Sequence, residues 1–141
     1  MKNTVLLSIR GQQTYQNQEP DTIELVTEGT LEFRDGGWDI SYEETSLTGL
    51  EGVTTTFRVE PDRIVLTRTG KLNSQMIFRE GEVHDSLYQM EFGALMISVM
   101  ASKIRANINK YGGTVDLLYA IEIENSASGT VDYHLDIQAR N

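Results

Sequence analysis

Apolar residues alternate with polar residues along most of the chain. In the segment 131–139 every second residue is apolar, and the residues between are polar or charged. The segments 115–123, 23–33, 38–42 and 53–59 follow the same period of two. This period places the apolar side chains on one face of a β-strand, whereas a helix would scatter them around its circumference. The pattern predicts an all-β protein.

Turn-forming residues separate the alternating segments. They contain glycine, proline or aspartate and lie at positions 35–37, 61–62, 80–81 and 112–113. Such residues favour tight hairpins and reversals, and Gly112-Gly113 is interpreted as a hairpin turn. Short links predict antiparallel strands in an up-and-down order. Residues 12–20, predicted to be mobile, and residues 47–52 are interpreted as loops.

The interval 92–110 fits two different elements. It is rich in residues of high helix propensity, and a helix would explain the four-residue spacing of Met96, Met100, Ile104 and Ile108. The alternative is a strand over residues 95–101 followed by a second short strand over 104–108. The residues by themselves favour neither interpretation.

Length, charge and cysteine content restrict the class of protein. A chain of 141 residues, 39% apolar, is predicted to form one domain over residues 1–141. It has no cysteine, which excludes disulfides, thiolate metal ligands and a cysteine nucleophile. The net charge of −9 repels phosphate and anionic lipid, so we expect neither nucleic acid nor a membrane as a partner. The apolar run at 5–9 is too short for a signal peptide, and we expect a cytoplasmic protein.

No motif for catalysis or cofactor binding stands out. Nucleophile elbows, phosphate-binding loops and dinucleotide fingerprints are absent from the sequence. The chain has two histidines, and His134 shares a polar strand face with Asp132 and Asp136, which is typical of a solvated outer surface. We therefore expect no metal, no cofactor and no catalytic residues.

Short motifs in the middle and end of the chain resemble the YwiB-type family of uncharacterised β-barrels. They are the segments 52–57 (GVTTTF), 66–70 (LTRTG), 76–78 (MIF), 88–93 (YQMEFG), 112–113 (GG) and 117–119 (LLY). Met90-Glu91 departs from the Thr-Pro that the family tends to have before its aromatic-Gly pair. The resemblance implies a single closed antiparallel barrel of about eight to ten strands, lipocalin-like (calycin-like), in which residues 92–110 are strands. It implies no activity.

Six residues are candidates for lining the interior of such a barrel. They are Arg68, Tyr42, Thr55, Tyr88, Tyr119 and Glu44. Arg68 follows Ile64 and Leu66 in phase, so its guanidinium is a candidate for binding a ligand carboxylate; the alternative is a strand-end arginine whose head reaches water. The tyrosines are either lumen residues or ordinary core aromatics. Glu44 has the inward phase, but the unfavourable burial of an unpaired charge favours a position at the rim.

The leading hypothesis for function is therefore a barrel that binds a small apolar or carboxylate-bearing molecule. The alternative is a barrel packed solid by side chains that acts as a structural or interaction module, with a homodimer as a candidate assembly. Enzyme activity has the least support, because no convergent set of titratable groups can be assembled from the strand phases.

Overall fold

Ten β-strands joined by turns and loops form the part of the chain that the structure describes. The structure, a computed structural model, describes residues 2–15, 18–124 and 127–140. These residues contain no helix, and so none long and apolar enough to cross a membrane. The strands are β1 (Lys2–Tyr15), β2 (Asp21–Arg34), β3 (Gly37–Glu43), β4 (Val53–Glu60), β5 (Arg63–Gly70), β6 (Ser74–Phe78), β7 (Val83–Met90), β8 (Gly93–Asn109), β9 (Gly112–Ile123) and β10 (Ala127–Ala139).

The strands form one antiparallel sheet that curls into a nearly closed barrel. Consecutive strands pair with each other except β6 with β7, and β1 also pairs with β10. The edge strands β6 and β7 meet at a seam, where Asn73 and Gln89 exchange two backbone hydrogen bonds of 2.8 Å. Beside it, the N–H of Gly81 donates to the carbonyl of Ala101 at 2.9 Å. The prediction of an up-and-down antiparallel barrel is confirmed.

Alternate residues of each strand point into the barrel, as the period of two predicts. In β10, Val131, Leu135 and Ile137 are at most 3% exposed, whereas Asp132 and Gln138 are exposed. The largest fully buried side chains are Phe57, Phe78, Leu7, Leu31, Ile40, Ile64, Leu66, Leu117 and Leu135. These interdigitating side chains fill one half of the barrel, and their burial is the main stabilising contribution to the fold.

The ambiguous interval 92–110 contains the long strand β8. This strand pairs with β7 on one side and β9 on the other, with a bulge between Ala101 and Lys103. The alternative with two short strands predicted a break between residues 101 and 104. The structure has one continuous strand there, with the bulge at that position. Met96 and Met100, which suggested a helix, lie on the outer surface and are 42% and 39% exposed. The helix alternative is wrong because pairing with two neighbouring strands overrides local propensity.

The β8–β9 hairpin does not turn at Gly112 and Gly113 as predicted. Its turn is at residues 110–111, and the two glycines begin β9. A Cβ on Gly112 would lie 2.0 Å from the carbonyl oxygen of Ile137, and one on Gly113 would lie 1.9 Å from that of Asn107. These glycines therefore allow a close approach of three strands. The other predicted turns are confirmed at 61–62 and 80–81, and the turn predicted at 35–37 is confirmed at 35–36, because Gly37 begins β3.

The predicted loop at 12–20 is wrong over its first four residues. Residues 12–15 continue β1 and pair with β10, from Gln12 opposite Asp132 to Tyr15 opposite Gly129. Polar residues can occupy both faces here because this end of the barrel is not filled by core side chains. Residues 16–17 lie outside the described residues. The loop predicted at 47–52 is confirmed.

Candidate functional site

The barrel is hollow at one end. A cavity of about 350 Å³ lies there, at the end that carries the β3–β4 loop. Its lining combines apolar and polar side chains, among them Ile9, Leu25, Tyr42, Glu44, Arg68, Tyr88, Ile97, Tyr119, Ile121 and Tyr133. Specific ligand sites are typically cavities of some 300–1,000 Å³ whose walls are mainly apolar and carry a few polar groups.

A cluster of aromatic rings forms the floor of the cavity. Phe78 packs against Tyr119 with ring centroids 4.5 Å apart, and Phe57 meets the edge of Tyr133 at 5.9 Å. The rings of Tyr119 and Tyr133 stack at 6.5 Å. The phenylalanines are fully buried. The tyrosines therefore mark the boundary between the packed half of the barrel and the hollow half.

Two tyrosine rings of the cavity wall lie over glycines of the paired strand. Tyr133 is opposite Gly11, and Tyr15 is opposite Gly129. A Cβ on Gly11 would lie 3.0 Å from Cε1 of Tyr133, and a Cβ on Gly129 would lie 2.7 Å from Cδ1 of Tyr15. The two glycines thus make room for rings that lie along the wall.

Arg68 of β5 is buried in this wall. It is 8% exposed, and its Nη2 donates a long hydrogen bond of 3.4 Å to the hydroxyl of Tyr133. Its Nε has no hydrogen-bond partner among the described residues, and the same holds for Oγ of Ser74, its register neighbour on β6. No ion pair within the described ranges includes Arg68.

The tyrosines around Arg68 do not supply the missing negative charge. Burial raises the pKa of Tyr88, and it raises the pKa of Tyr119 well above its ordinary value. Burial and the nearby Glu44 carboxylate likewise raise the pKa of Tyr42. The phenols are therefore neutral at neutral pH, whereas an arginine keeps its charge. The guanidinium is left as a buried positive charge that forms no ion pair among the described residues.

Glu44 lies inside the barrel, so its predicted position at the rim is wrong. It directly follows β3, is 6% exposed and lines the cavity. Its Oε2 accepts a hydrogen bond of 2.5 Å from Thr55, and its Oε1 accepts one of 2.8 Å from Thr48. These hydroxyls stabilise a carboxylate that would otherwise be unsatisfied, which explains why burial is tolerated.

Five of the six predicted residues line the cavity. Thr55 is the exception: it is fully buried and reaches the site through its hydrogen bond to Glu44. The sequence interpretation missed Tyr133 as a member of the site, although its inward phase was visible. It also missed Thr48, which belongs to a loop without periodicity, and Gly11, which lies in the segment beyond the first apolar run.

The outer surface carries a cluster of titratable side chains around His134. Its Nδ1 lies 2.6 Å from Oδ1 of Asp116, and its Nε2 lies 3.1 Å from Oδ2 of Asp136. The hydrogen bond to Asp116 raises the pKa of His134, and the bond to Asp136 acts in the same direction. Within the described part of the chain no three histidine or carboxylate side chains are grouped to hold a metal ion.

Comparison with known proteins agrees with the resemblance noted in the sequence. A family model described as "Domain of unknown function (DUF1934)" matches residues 7–137. The structure is similar to the crystal structure of ywiB protein from Bacillus subtilis, with a TM-score of 0.88, 17% sequence identity, and 99% of this chain and 94% of that chain covered. At this identity the similarity concerns the fold alone. Among curated proteins no sequence matches the chain.

Proposed function

We propose that this chain, which belongs to the DUF1934 family, is a lipocalin-like binding protein that holds one small anionic molecule in the hollow half of its barrel. The observation that carries the proposal is Arg68, a buried guanidinium that lines a cavity and forms no ion pair with a carboxylate of the described residues. The ligand supplies the missing negative charge.

The physical argument is the unfavourable burial of an unpaired charge. Moving an ion out of water costs several kcal/mol unless a partner compensates it. The long bond from Arg68 to the hydroxyl of Tyr133 gives little compensation. A guanidinium matches a carboxylate in shape and hydrogen-bonding geometry, so a bound carboxylate would form short, charge-assisted hydrogen bonds there.

The rest of the cavity suits an apolar body attached to that anion. Isoleucine and leucine side chains from β1, β2, β8 and β9 line the same cavity as Arg68, together with the tyrosine rings. Burial of the ligand's apolar body against these side chains provides affinity, and hydrogen bonds to the phenol hydroxyls orient the ligand. A small aliphatic or aromatic carboxylate satisfies both parts of the site.

The proposal is tested by replacing the charged side chain of Arg68 with an apolar one. Native mass spectrometry of the purified protein looks for a retained small molecule, and thermal shifts then compare aliphatic and aromatic carboxylates with their neutral primary amides. We expect the carboxylates to stabilise the protein and Arg68→Met to weaken their binding by about 10- to 100-fold, the value of a charged hydrogen bond. Arg10→Met, on the exposed face of β1, is the matched control.

Equal stabilisation by carboxylates and amides would overturn the proposal, and so would unchanged binding by Arg68→Met. The free variant should remain folded, because the substitution removes a buried charge whose desolvation is unfavourable. Its thermal unfolding without ligand verifies this point.

A second candidate role, that of an interaction module, is favoured by one surface. The outer face of the β7–β8 hairpin carries four exposed apolar side chains, which are Val83, Leu87, Met96 and Met100. They form two cross-strand pairs. A self-association through this face would bury it in a homodimer. Light scattering across a range of protein concentrations tests this role, since a monomer at high concentration would argue against it.

A further inference from the structure

Two side chains of opposite charge line the cavity without pairing with each other. Arg68 and Glu44 are both more than nine-tenths buried. No ion pair within the described residues includes either of them. Opposite charges attract strongly in a low-dielectric interior, so two buried ions that stay apart must each be held by other groups.

Separate hydrogen bonds hold the two ions in place. The carboxylate of Glu44 is fixed by the hydroxyls of Thr55 and Thr48, one on each oxygen. The guanidinium of Arg68 has a separate, long hydrogen bond of 3.4 Å to the hydroxyl of Tyr133. A carboxylate has about four acceptor positions and a guanidinium has five N–H donors, so both ions keep free capacity.

We propose that the ligand carries a protonated amine as well as a carboxylate, so that one zwitterionic molecule neutralises Glu44 and Arg68 together. This inference rests on the proposed function and adds a second point of recognition to it. The carboxylate binds Arg68, the ammonium donates to Glu44, and the apolar body lies against the tyrosines and isoleucines of the wall.

The strand register indicates how such a ligand is oriented. Tyr42, Thr55 and Arg68 are opposite one another on β3, β4 and β5. Glu44 follows Tyr42 by two residues, toward the β3–β4 loop, so its backbone lies about 7 Å nearer the mouth. Its side chain nevertheless reaches back to Thr55 in the layer of Arg68. The amine of the ligand therefore lies close to its carboxylate, as in an amino acid.

The test uses matched sets of three small molecules. Each set contains an amino acid, the same carbon skeleton with the carboxylate alone, and the same skeleton with the amine alone; phenylalanine, 3-phenylpropanoate and 2-phenylethylamine are one set, and leucine supplies an aliphatic one. Thermal shifts at about 10 mM register even millimolar affinity. We expect the amino acid to bind at least tenfold more tightly than the acid, and Glu44→Gln to abolish that difference while binding of the acid persists.

A neighbouring residue provides the matched control. On the outside of the barrel, Glu43 accepts hydrogen bonds of 2.9 Å from the hydroxyl of Thr54. This pair corresponds to Glu44 and Thr55 on the inside. Glu43→Gln should leave the preference for the amino acid unchanged. If the acid binds as tightly as the amino acid, the zwitterion proposal fails and the anion-binding proposal stands. If no member of any set binds, both fail; if the amine alone binds best, the role of Arg68 is wrong.

Discussion

The hydroxyl of Thr55 donates a hydrogen bond of 2.5 Å to Oε2 of Glu44 inside the barrel. Thr55 lies on β4 and Glu44 begins the β3–β4 loop, so this bond fastens the loop to the wall of the cavity. Both residues are buried. The bond therefore determines where the carboxylate lies and is one of two hydroxyl contacts that make its burial tolerable.

We expect Thr55→Val to destabilise the protein by about 1–3 kcal/mol, the usual effect of leaving a buried acceptor unsatisfied. Valine has nearly the same shape as threonine, so the change removes the donor without opening a cavity. Thr54→Val removes the equivalent hydroxyl from Glu43 on the exposed face and should change stability by no more than about 0.5 kcal/mol. Urea unfolding of both variants measures the difference. Equal losses of stability in the two variants would show that the buried hydrogen bond contributes no more than the exposed one.

The same pair of residues shows how far the sequence predicts the site. The alternation in β3 and β4 correctly gives Tyr42, Thr55 and Glu44 the inward phase. Phase does not reveal that Thr55 and Thr48 both point their hydroxyls at the carboxylate, because that depends on the register of β3 with β4 and on the path of the loop. Without those partners, the burial of Glu44 is predicted to be unfavourable, and the rim is the expected position.

Tyr133 illustrates a second limit of sequence interpretation. Its inward phase in β10 follows from the period of two, but its partner Arg68 is 65 positions away in the chain. Which inward residues share a layer depends on the stagger between strands around the whole barrel. The interval 92–110 is a third case, since pairing with β7 and β9 decides between helix and strand. Local patterns predict faces, and only the assembled sheet brings residues from distant strands into one site.

The contact between Gly11 and Tyr133 gives a prediction about the shape of the cavity. A Cβ at position 11 would lie 3.0 Å from Cε1 of Tyr133, closer than ordinary van der Waals contact. We expect Gly11→Ala to displace the ring and to destabilise the protein by about 1–3 kcal/mol, the typical effect of overpacking. Displacing the ring also moves the hydroxyl that binds Arg68, so carboxylate binding should weaken as well.

A double-mutant cycle separates this contact from a general effect of alanine at position 11. Tyr133→Leu removes the part of the ring that meets the new methyl group. The destabilisation caused by Gly11→Ala should therefore be smaller in the Tyr133→Leu background, by at least about 0.5 kcal/mol. If the changes in the free energy of unfolding caused by the two substitutions are strictly additive, the ring of Tyr133 is not the reason that alanine at position 11 destabilises the protein.

His134 on the outer surface gives a prediction about pH. The hydrogen bonds to Asp116 and Asp136 raise its pKa in the folded protein above the ordinary value of 6.5. A raised pKa means that the folded state binds the proton more tightly than the unfolded state. The resulting stabilisation is fully present below pH 6.5 and is lost as the pH rises through the higher folded pKa. The side chains are partly exposed, so the effect is modest and weakened by salt.

The measurement compares urea unfolding of the wild type and His134→Gln at about pH 5.5 and about pH 8.5, on either side of an ordinary histidine pKa. Glutamine keeps a hydrogen-bond donor at this position but has no titratable proton. We expect the wild type to exceed the variant in stability by more at the lower pH than at the higher pH, and salt to reduce that difference. A difference independent of pH would show that the two aspartates do not hold a charged imidazolium, and a larger difference at the higher pH would reverse the assigned direction of the pKa shift.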